Sequence, residues 1–158
     1  MKIIPVGTME CFVDDEDYDW VTAEGPWRLL KPYRSTAIYA RAHDKADNNV
    51  AVLMHNLILG SKNVDHINEN GLDNQRHNLR LATGTQNQAN KSKYFTVRTT
   101  SQFKGVHWNS NRQKWVAGIN VHKKHFYLGS FDIETEAALA YDRAALVHFG
   151  EFAKLNFK

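Results

Sequence analysis

Between residues 54 and 90 the chain gathers side chains whose types suit phosphodiester hydrolysis. Asp65 and His66 stand side by side after Val64, Asn78 precedes Leu79-Arg80, and Gln86-Asn87 lies in a polar run from Thr85 to Lys91. Cutting a phosphodiester takes a nucleophilic water, a base to deprotonate it, and a cation to stabilise charge on the phosphate and the leaving oxygen. An Asp carboxylate and an Asn carbonyl are hard oxygen donors, suited to Mg2+ or Mn2+ rather than zinc. His66 has the pKa class of a general base near neutrality. Alone, an Asp-His pair is weak evidence, since His often fills cores or caps and Asp often makes turns.

The elements that must position these groups are short. Val64–His66 and Asn78–Arg80 read as strand ends, and residues 85–91 as a helical stretch, so strand, loop, strand and helix can converge on one point. Asn70-Gly71 reads as a turn, and Asp73-Asn74 as a cap for a helical turn before Asn78. Neither needs a catalytic role. Residues 1–60 read as a β-rich segment: a strand ending at Phe12-Val13, an acid-capped helical turn over 14–20, then strand-like content at 27–30, 37–43 and 50–54. Residues 93–101 read as a linker. Beyond it, residues 103–108, 114–121 and 125–131 mix β-branched or aromatic with polar residues between Asn-Ser-Asn and His-Lys-Lys turn signals, giving three antiparallel strands. Asp132 is an N-cap candidate for a helix carrying Ala137, Tyr141, Ala144, Ala145 and His148 at helical spacing until Gly150. Its alanines let helix and sheet approach closely. The other sheet face is then left for Lys, Arg and aromatic side chains, as a DNA groove would require.

The 158 residues, 42% hydrophobic, suffice for one ordinary core or two small ones. No apolar run is long enough to cross a bilayer, and the apolar start over residues 1–5 breaks off too early for a signal peptide, so the expected location is the cytoplasm, with no membrane partner. The single cysteine, Cys11, excludes an internal disulfide and a Cys-pair zinc site. Net charge is only +3, but from Asn74 to Phe131 there is no Asp or Glu, while Arg76, Arg80, Lys91, Lys93, Arg98, Lys104, Arg112, Lys114, Lys123 and Lys124 fall in that window. Such a stretch seeks a polyanion, or is simply a solvated basic face.

The runs Met54-His55-Asn56-Leu57-Ile58, Val64-Asp65-His66-Ile67-Asn68, Gly71-Leu72-Asp73-Asn74, Asn78-Leu79-Arg80 and Gln86-Asn87-Gln88-Ala89-Asn90 resemble, in order and spacing, the HNH homing endonucleases of phages and introns. The resemblance implies a ββα-metal module over residues 61–92. In it His66 matches the general base, Asp65 and Asn87 the ligands of a divalent metal, and Asn78 the central Asn that completes the catalytic set by holding the site together. Asn87 stands where other members carry His, a variation familiar in the homing branch. His55 either packs the module or approaches a phosphate, His77 faces solvent, and Arg80 either contacts a phosphate or is solvated.

A second resemblance covers residues 102–158. Phe103-Lys104-Gly105-Val106, Lys114-Trp115-Val116-Ala117, Tyr127-Leu128-Gly129-Ser130-Phe131-Asp132, Ala140-Tyr141-Asp142-Arg143-Ala144-Ala145 and Leu155-Asn156-Phe157 resemble the DNA-binding domain of plant ethylene-response factors. It implies a three-stranded sheet in the major groove with a helix behind it. DNA contacts would come from Lys104, Gly105, His107, Asn120, His125 and Tyr127, with Tyr141 reaching a phosphate. The plant domains use several Arg and a second Trp at these positions, and an acidic residue where this chain has Gly118, so their target sequence does not carry over. Arg112, Lys114 and Lys124 add phosphate-neutralising charge, and Asn120 can read adenine. Trp108 and Trp115 suit either the sheet core or the DNA-facing surface.

The expected fold is therefore α+β: a β-rich segment, a ββα-metal module, and a three-stranded sheet packed on one helix. The expected function is metal-dependent endonucleolytic cleavage of double-stranded DNA by a monomer, nicking at a site chosen by the C-terminal domain. The alternatives are a non-enzymatic DNA-binding protein with a relic HNH segment and an RNA-binding protein using the same basic stretch.

Overall fold

A computed structural model describes residues 1–33, 36–43, 50–96 and 99–157. Arg98 and the centre of the expected linker lie outside them. The fold is α+β, built from small antiparallel sheets and short helices, as expected. Two compact units divide the chain, Met1–Thr83 and Gly84–Lys158.

The first unit opens with a hairpin of β1 (Lys2–Val6) and β2 (Met9–Val13), in which Ile4 pairs with Cys11. Alternation buries Ile4, Val6, Cys11 and Val13 on one face. Helix α1 (Asp15–Ala23) has Asp15, Glu16 and Asp17 in its first turn, where the helix dipole favours acids. Asp17 and the preceding Asp14 also hold a distant segment: Asp14 accepts the Arg76 backbone N–H at 2.7 Å, and the Arg76 guanidinium grips buried Asp17 at 2.7 and 2.8 Å. A sheet of β3 (Arg28–Leu30), β4 (Tyr39–His43) and β5 (Ala51–Leu53) follows in that spatial order.

At Met54, which the sequence reading places in a strand, the chain instead turns into helix α2 (Met54–Leu59), stopped by Gly60 at φ 61°. One turn suffices to bury Met54, His55 and Ile58 on one face, and the left-handed glycine ends it. Strands β6 (Val64–His66) and β7 (Leu79–Leu81) pair with Asp65 opposite Arg80, and a 3-10 turn, Arg76–Asn78, leads into β7. The loop between them docks on β2: Phe12 donates to the Leu72 carbonyl and accepts from the Asn74 N–H, both at 2.8 Å. Residues 1–60 and 61–83 thus share one core, which includes Val6, Val13, Trp27, Met54, Val64 and Leu79.

The second unit begins with α3 (Gly84–Asn90) and continues with β8 (Val106–Asn109), β9 (Lys114–Val121) and β10 (Lys124–Phe131), β9 being central. The β9–β10 hairpin turns on His122 and Lys123, at φ 49° and 66°. A two-residue connection with both φ positive matches the twist of the strands it joins. Helix α4 (Glu134–Phe149) lies on the sheet through Ala137, Ala138, Ala140, Tyr141 and Ala145. The expected Asp132 cap does not form; the helix starts beyond Ile133, and the Asp132 carboxylate instead pairs with Lys114 Nζ at 2.8 Å. Buried Asp142 accepts the backbone N–H groups of Asn156 and Phe157 at 2.9 and 3.0 Å, tying that segment to α4.

Gly105 has φ +75°, and a Cβ there would fall on the Tyr141 ring. Gly105→Ala is expected to destabilise the second unit by about 3 kcal/mol, from the left-handed backbone and the overlap together. Gly84→Ala, whose added Cβ meets nothing within 4 Å, is the near-neutral control in the same denaturant titration.

Candidate active site and nucleic-acid interface

Strand β6 buries every side chain it has. Asp65 and His66 are each 5% exposed, adjacent, and on opposite faces of the strand, as its alternation requires. A buried carboxylate needs a cation or several donors. Arg80, opposite on β7, supplies one, with Nε at 3.1 Å and Nη2 at 3.0 Å from Asp65 Oδ2. The Arg80 side chain is only 13% exposed, so the sequence alternatives of phosphate contact and simple solvation meet a third partner, the site's own carboxylate.

His66 sits in an aromatic cluster with His55, edge-on at 4.7 Å between ring centroids, and with Tyr39 at 5.8 Å. Its Nε2 lies 3.3 Å from Oδ1 of Asn74, which is fully buried. Burial pushes the His66 pKa down, against upward pulls from the Asn74 bond and the Asp65 and Asp73 charges. His55 is pushed down to about 3 by burial and then by the neighbouring His66; its Nδ1 is buried with no hydrogen-bond partner among the described residues. Of its two sequence readings, the structure places His55 in the packing of the module, while His77 is exposed as expected.

Asn78 is buried and spans the loop between the strands, accepting the Asn68 N–H at 3.0 Å and donating to the Asp73 carbonyl at 2.8 Å. Its contacts are with backbone, so it shapes the loop that presents Asn74. Asn74 itself corrects the sequence reading. Instead of capping the 3-10 turn, whose cap position is Gln75, it points inward at His66 and Cys11. The Asn70-Gly71 turn forms, with the Asp73 N–H on the Asn70 carbonyl at 3.0 Å.

Asp65, His66, Asn78 and Arg80 all belong to the first unit; Asn87 is on α3, half-buried, in the second. Among the described residues no three His, Cys, Asp or Glu side chains gather into a metal-binding group. A carboxylate with an amide oxygen is a sparse, hard donor set, of the kind Mg2+ takes when waters and substrate phosphates complete its shell. Asp65 and Asn87 each carry a donor atom of that chemistry.

In the second unit, strand register sorts the expected DNA contacts. Trp115, Ala117, Ile119 and Val121 face α4, leaving Val116, Gly118 and Asn120 on the open side. Cross-strand pairing sets His107 beside Val116, Tyr127 beside Gly118 and His125 beside Asn120, so His107, Asn120, His125 and Tyr127 share that open face, all exposed. His125 Nδ1 meets Asn120 Oδ1 at 3.0 Å, and the His125 ring fits because position 118 has no Cβ, which would come within 2.5 Å of it. Arg112 and Lys124 are exposed at the strand ends, and Lys114 is half-buried in its ion pair with Asp132. Two expected contacts lie elsewhere. Tyr141 is buried under Gly105 with its pKa raised to about 12 by burial, and the Lys104 ammonium sits on the Ala89 and Lys91 carbonyls at 2.5 and 2.6 Å, closing the C-terminal end of α3. Trp115 packs on the α4 side, resolving its ambiguity toward the core, and half-buried Trp108 lies edge-on to it at 5.0 Å.

These two constructions match known proteins separately. Over 138 residues the chain is 30% identical to an uncharacterized HNH endonuclease of Acanthamoeba polyphaga mimivirus, an alignment covering 82% of this chain and 70% of the relative. The chain belongs to that HNH endonuclease family. Residues 101–150 match the AP2 domain. There the chain is 46% identical over 54 residues to dehydration-responsive element-binding protein 2E of Arabidopsis thaliana, and 46% identical over 64 residues to APETALA2-like protein 2 of Oryza sativa. These alignments cover 28% and 39% of this chain, and only 22% and 14% of the plant proteins.

Two imidazoles held neutral make the first unit sensitive to acid. His55 ordinarily titrates at 6.5 and in the fold at about 3, so below pH 6.5 the unfolded chain takes up a proton that the folded one refuses. Its contribution is complete above 6.5 and is lost at about 1.4 kcal/mol per pH unit as pH falls toward 3. Amide exchange across β6 and β7 between pH 7 and pH 4.5 checks this: protection should fall with acid in the wild type and fall less steeply in His55→Phe.

Proposed function

We propose that the protein is a divalent-metal-dependent DNA endonuclease that nicks a duplex held by its C-terminal sheet. The observation that carries this reading is the burial of Asp65 and His66 side by side on one strand, with Arg80 across from the carboxylate. A base is useful when it is unprotonated at working pH, and burial keeps His66 in that form. His66 would take the proton from the attacking water. Asp65 and Asn87 would hold Mg2+ or Mn2+, which when bound supplies charge stabilisation at the phosphate and the leaving oxygen. Arg80 balances the Asp65 charge and keeps its carboxylate in place. Asn78 holds the loop shape on which the base depends.

The open face of the second unit would take double-stranded DNA. His107, Asn120, His125 and Tyr127 are placed for base edges or phosphates, and Arg112, Lys114 and Lys124 for phosphates. A monomer with one such site makes one cut, hence a nick. The second reading, a DNA-binding protein without catalysis, draws on the Arg80 ion pair, which would serve a purely structural carboxylate equally well.

Supercoiled and linear plasmid incubated with Mg2+ or Mn2+ separates the two. The endonuclease reading expects metal-dependent nicking, abolished by EDTA and reduced at least 100-fold in His66→Ala; tight binding without any cut under either metal would leave the DNA-binding reading. Lys124→Ala should weaken binding evenly across sequences and reduce the slope of log affinity against log salt by about one, whereas Asn120→Ala should cost about 1–3 kcal/mol and relax discrimination at one base pair.

A further inference from the structure

Beneath the candidate base runs a chain of side-chain hydrogen bonds that its own chemistry makes one-directional. Met54 Sδ, on α2, lies 3.4 Å from Cys11 Sγ, on β2. Cys11 Sγ in turn lies 2.9 Å from Asn74 Nδ2, and Asn74 Oδ1 lies 3.3 Å from His66 Nε2. A thioether has no hydrogen to give, so the first bond can only be Cys11 S–H donating to Met54. The thiol hydrogen is then spent, and the sulfur meets Asn74 as an acceptor. That requires the NH2 end of the Asn74 amide to face Cys11, where its other hydrogen points to the Gly71 carbonyl at 3.4 Å. The carbonyl end therefore faces His66, and an acceptor there requires N–H at Nε2. In a neutral imidazole with Nε2 protonated, the lone pair is on Nδ1.

We propose that Met54, Cys11 and Asn74 form a polarity lock that holds His66 in the Nε2–H tautomer. Asn74 is then a positioning residue, and the β1–β2 hairpin contributes to the site through Cys11, which touches no substrate. Burial pushes the Cys11 thiol up to about 12, so it keeps the hydrogen that the lock needs. All three residues are fully buried, which keeps water from competing for these weak bonds. Any catalytic use of this tautomer rests on the endonuclease reading; the tautomer does not.

The test measures the two separately. Imidazole 15N shifts of His66 in the intact protein at pH 7.5 report the tautomer directly, with no reaction involved. The expectation is Nε2–H in the wild type and in Cys11→Ser, which can donate and accept as the thiol does. In Cys11→Ala, and in Asn74→Leu if it folds, a substantial Nδ1–H population should appear. Where the wild type nicks DNA, turnover in Cys11→Ala should fall about tenfold to a hundredfold with KM unchanged, less than in His66→Ala, and recover in Cys11→Ser. A wild-type His66 protonated at Nδ1, or a tautomer unchanged in Cys11→Ala, would overturn the lock. A wild type that never nicks, yet has the Nε2–H tautomer lost in Cys11→Ala, sinks the endonuclease reading, while the lock stands.

Discussion

Everything in the first unit answers to the burial of a carboxylate and an imidazole on a strand three residues long. A desolvated charge costs several kcal/mol unless paired, and a desolvated ring nitrogen costs about 1–3 kcal/mol unless bonded. Asp65 brings Arg80 across the β6–β7 pair; His66 brings Asn74 in from the loop and packs against the rings of His55 and Tyr39. Each partner then has needs of its own. Asn74 must be presented at one angle, so the loop is clamped by Asn78 inside and by Phe12 of β2 outside. Arg76, at the start of the turn that carries Asn78, is anchored by the acids of α1. A hairpin and a helix far away in sequence are thereby part of the site's support.

The second unit solves a different problem, that of keeping one sheet face empty. Its alanines bring α4 close enough that Trp115, Leu128, Phe131 and Phe103 complete a core on one side. The opposite face then presents exposed side chains around one buried residue, Val116, and short residues matter there as much as long ones. Gly118 leaves room for the His125 ring, which can reach Asn120 only because nothing stands beneath it.

Periodicity made the larger elements legible. Three β-rich runs with turn signals between them, and a helix with alanine on one stripe, have patterns that packing could only reinforce, and β8, β9, β10 and α4 follow them closely. Asp65 and His66 stood out through the order and spacing of the runs around them, since an Asp-His pair alone is weak evidence. Helix α2 was hidden because one turn is too short to express a period, and its residues suit a strand equally well. Asn74 was hidden for another reason: as a local signal Asp-Asn says cap, and only the long-range approach of Cys11, 63 positions away, turns the amide inward. Lys104 and Asp132 were read as a DNA contact and a cap, and tertiary partners claimed both.

The Asp142 clamp has a consequence for synthesis. Asn156 joins Asp142 to the backbone of Lys104, bonding to its N–H at 2.6 Å and its carbonyl at 3.1 Å across 52 positions. Sheet and helix can form as soon as residue 149 is made, but the polar group they enclose is left unsatisfied until Asn156 and Phe157 arrive. In the first unit the corresponding closure, Phe12 to Leu72 and Asn74, needs nothing beyond residue 83. A ribosome making this chain therefore releases the two units to their native states in sequence. The one that carries Asp65 and His66 can finish before the segment that closes the other has been translated.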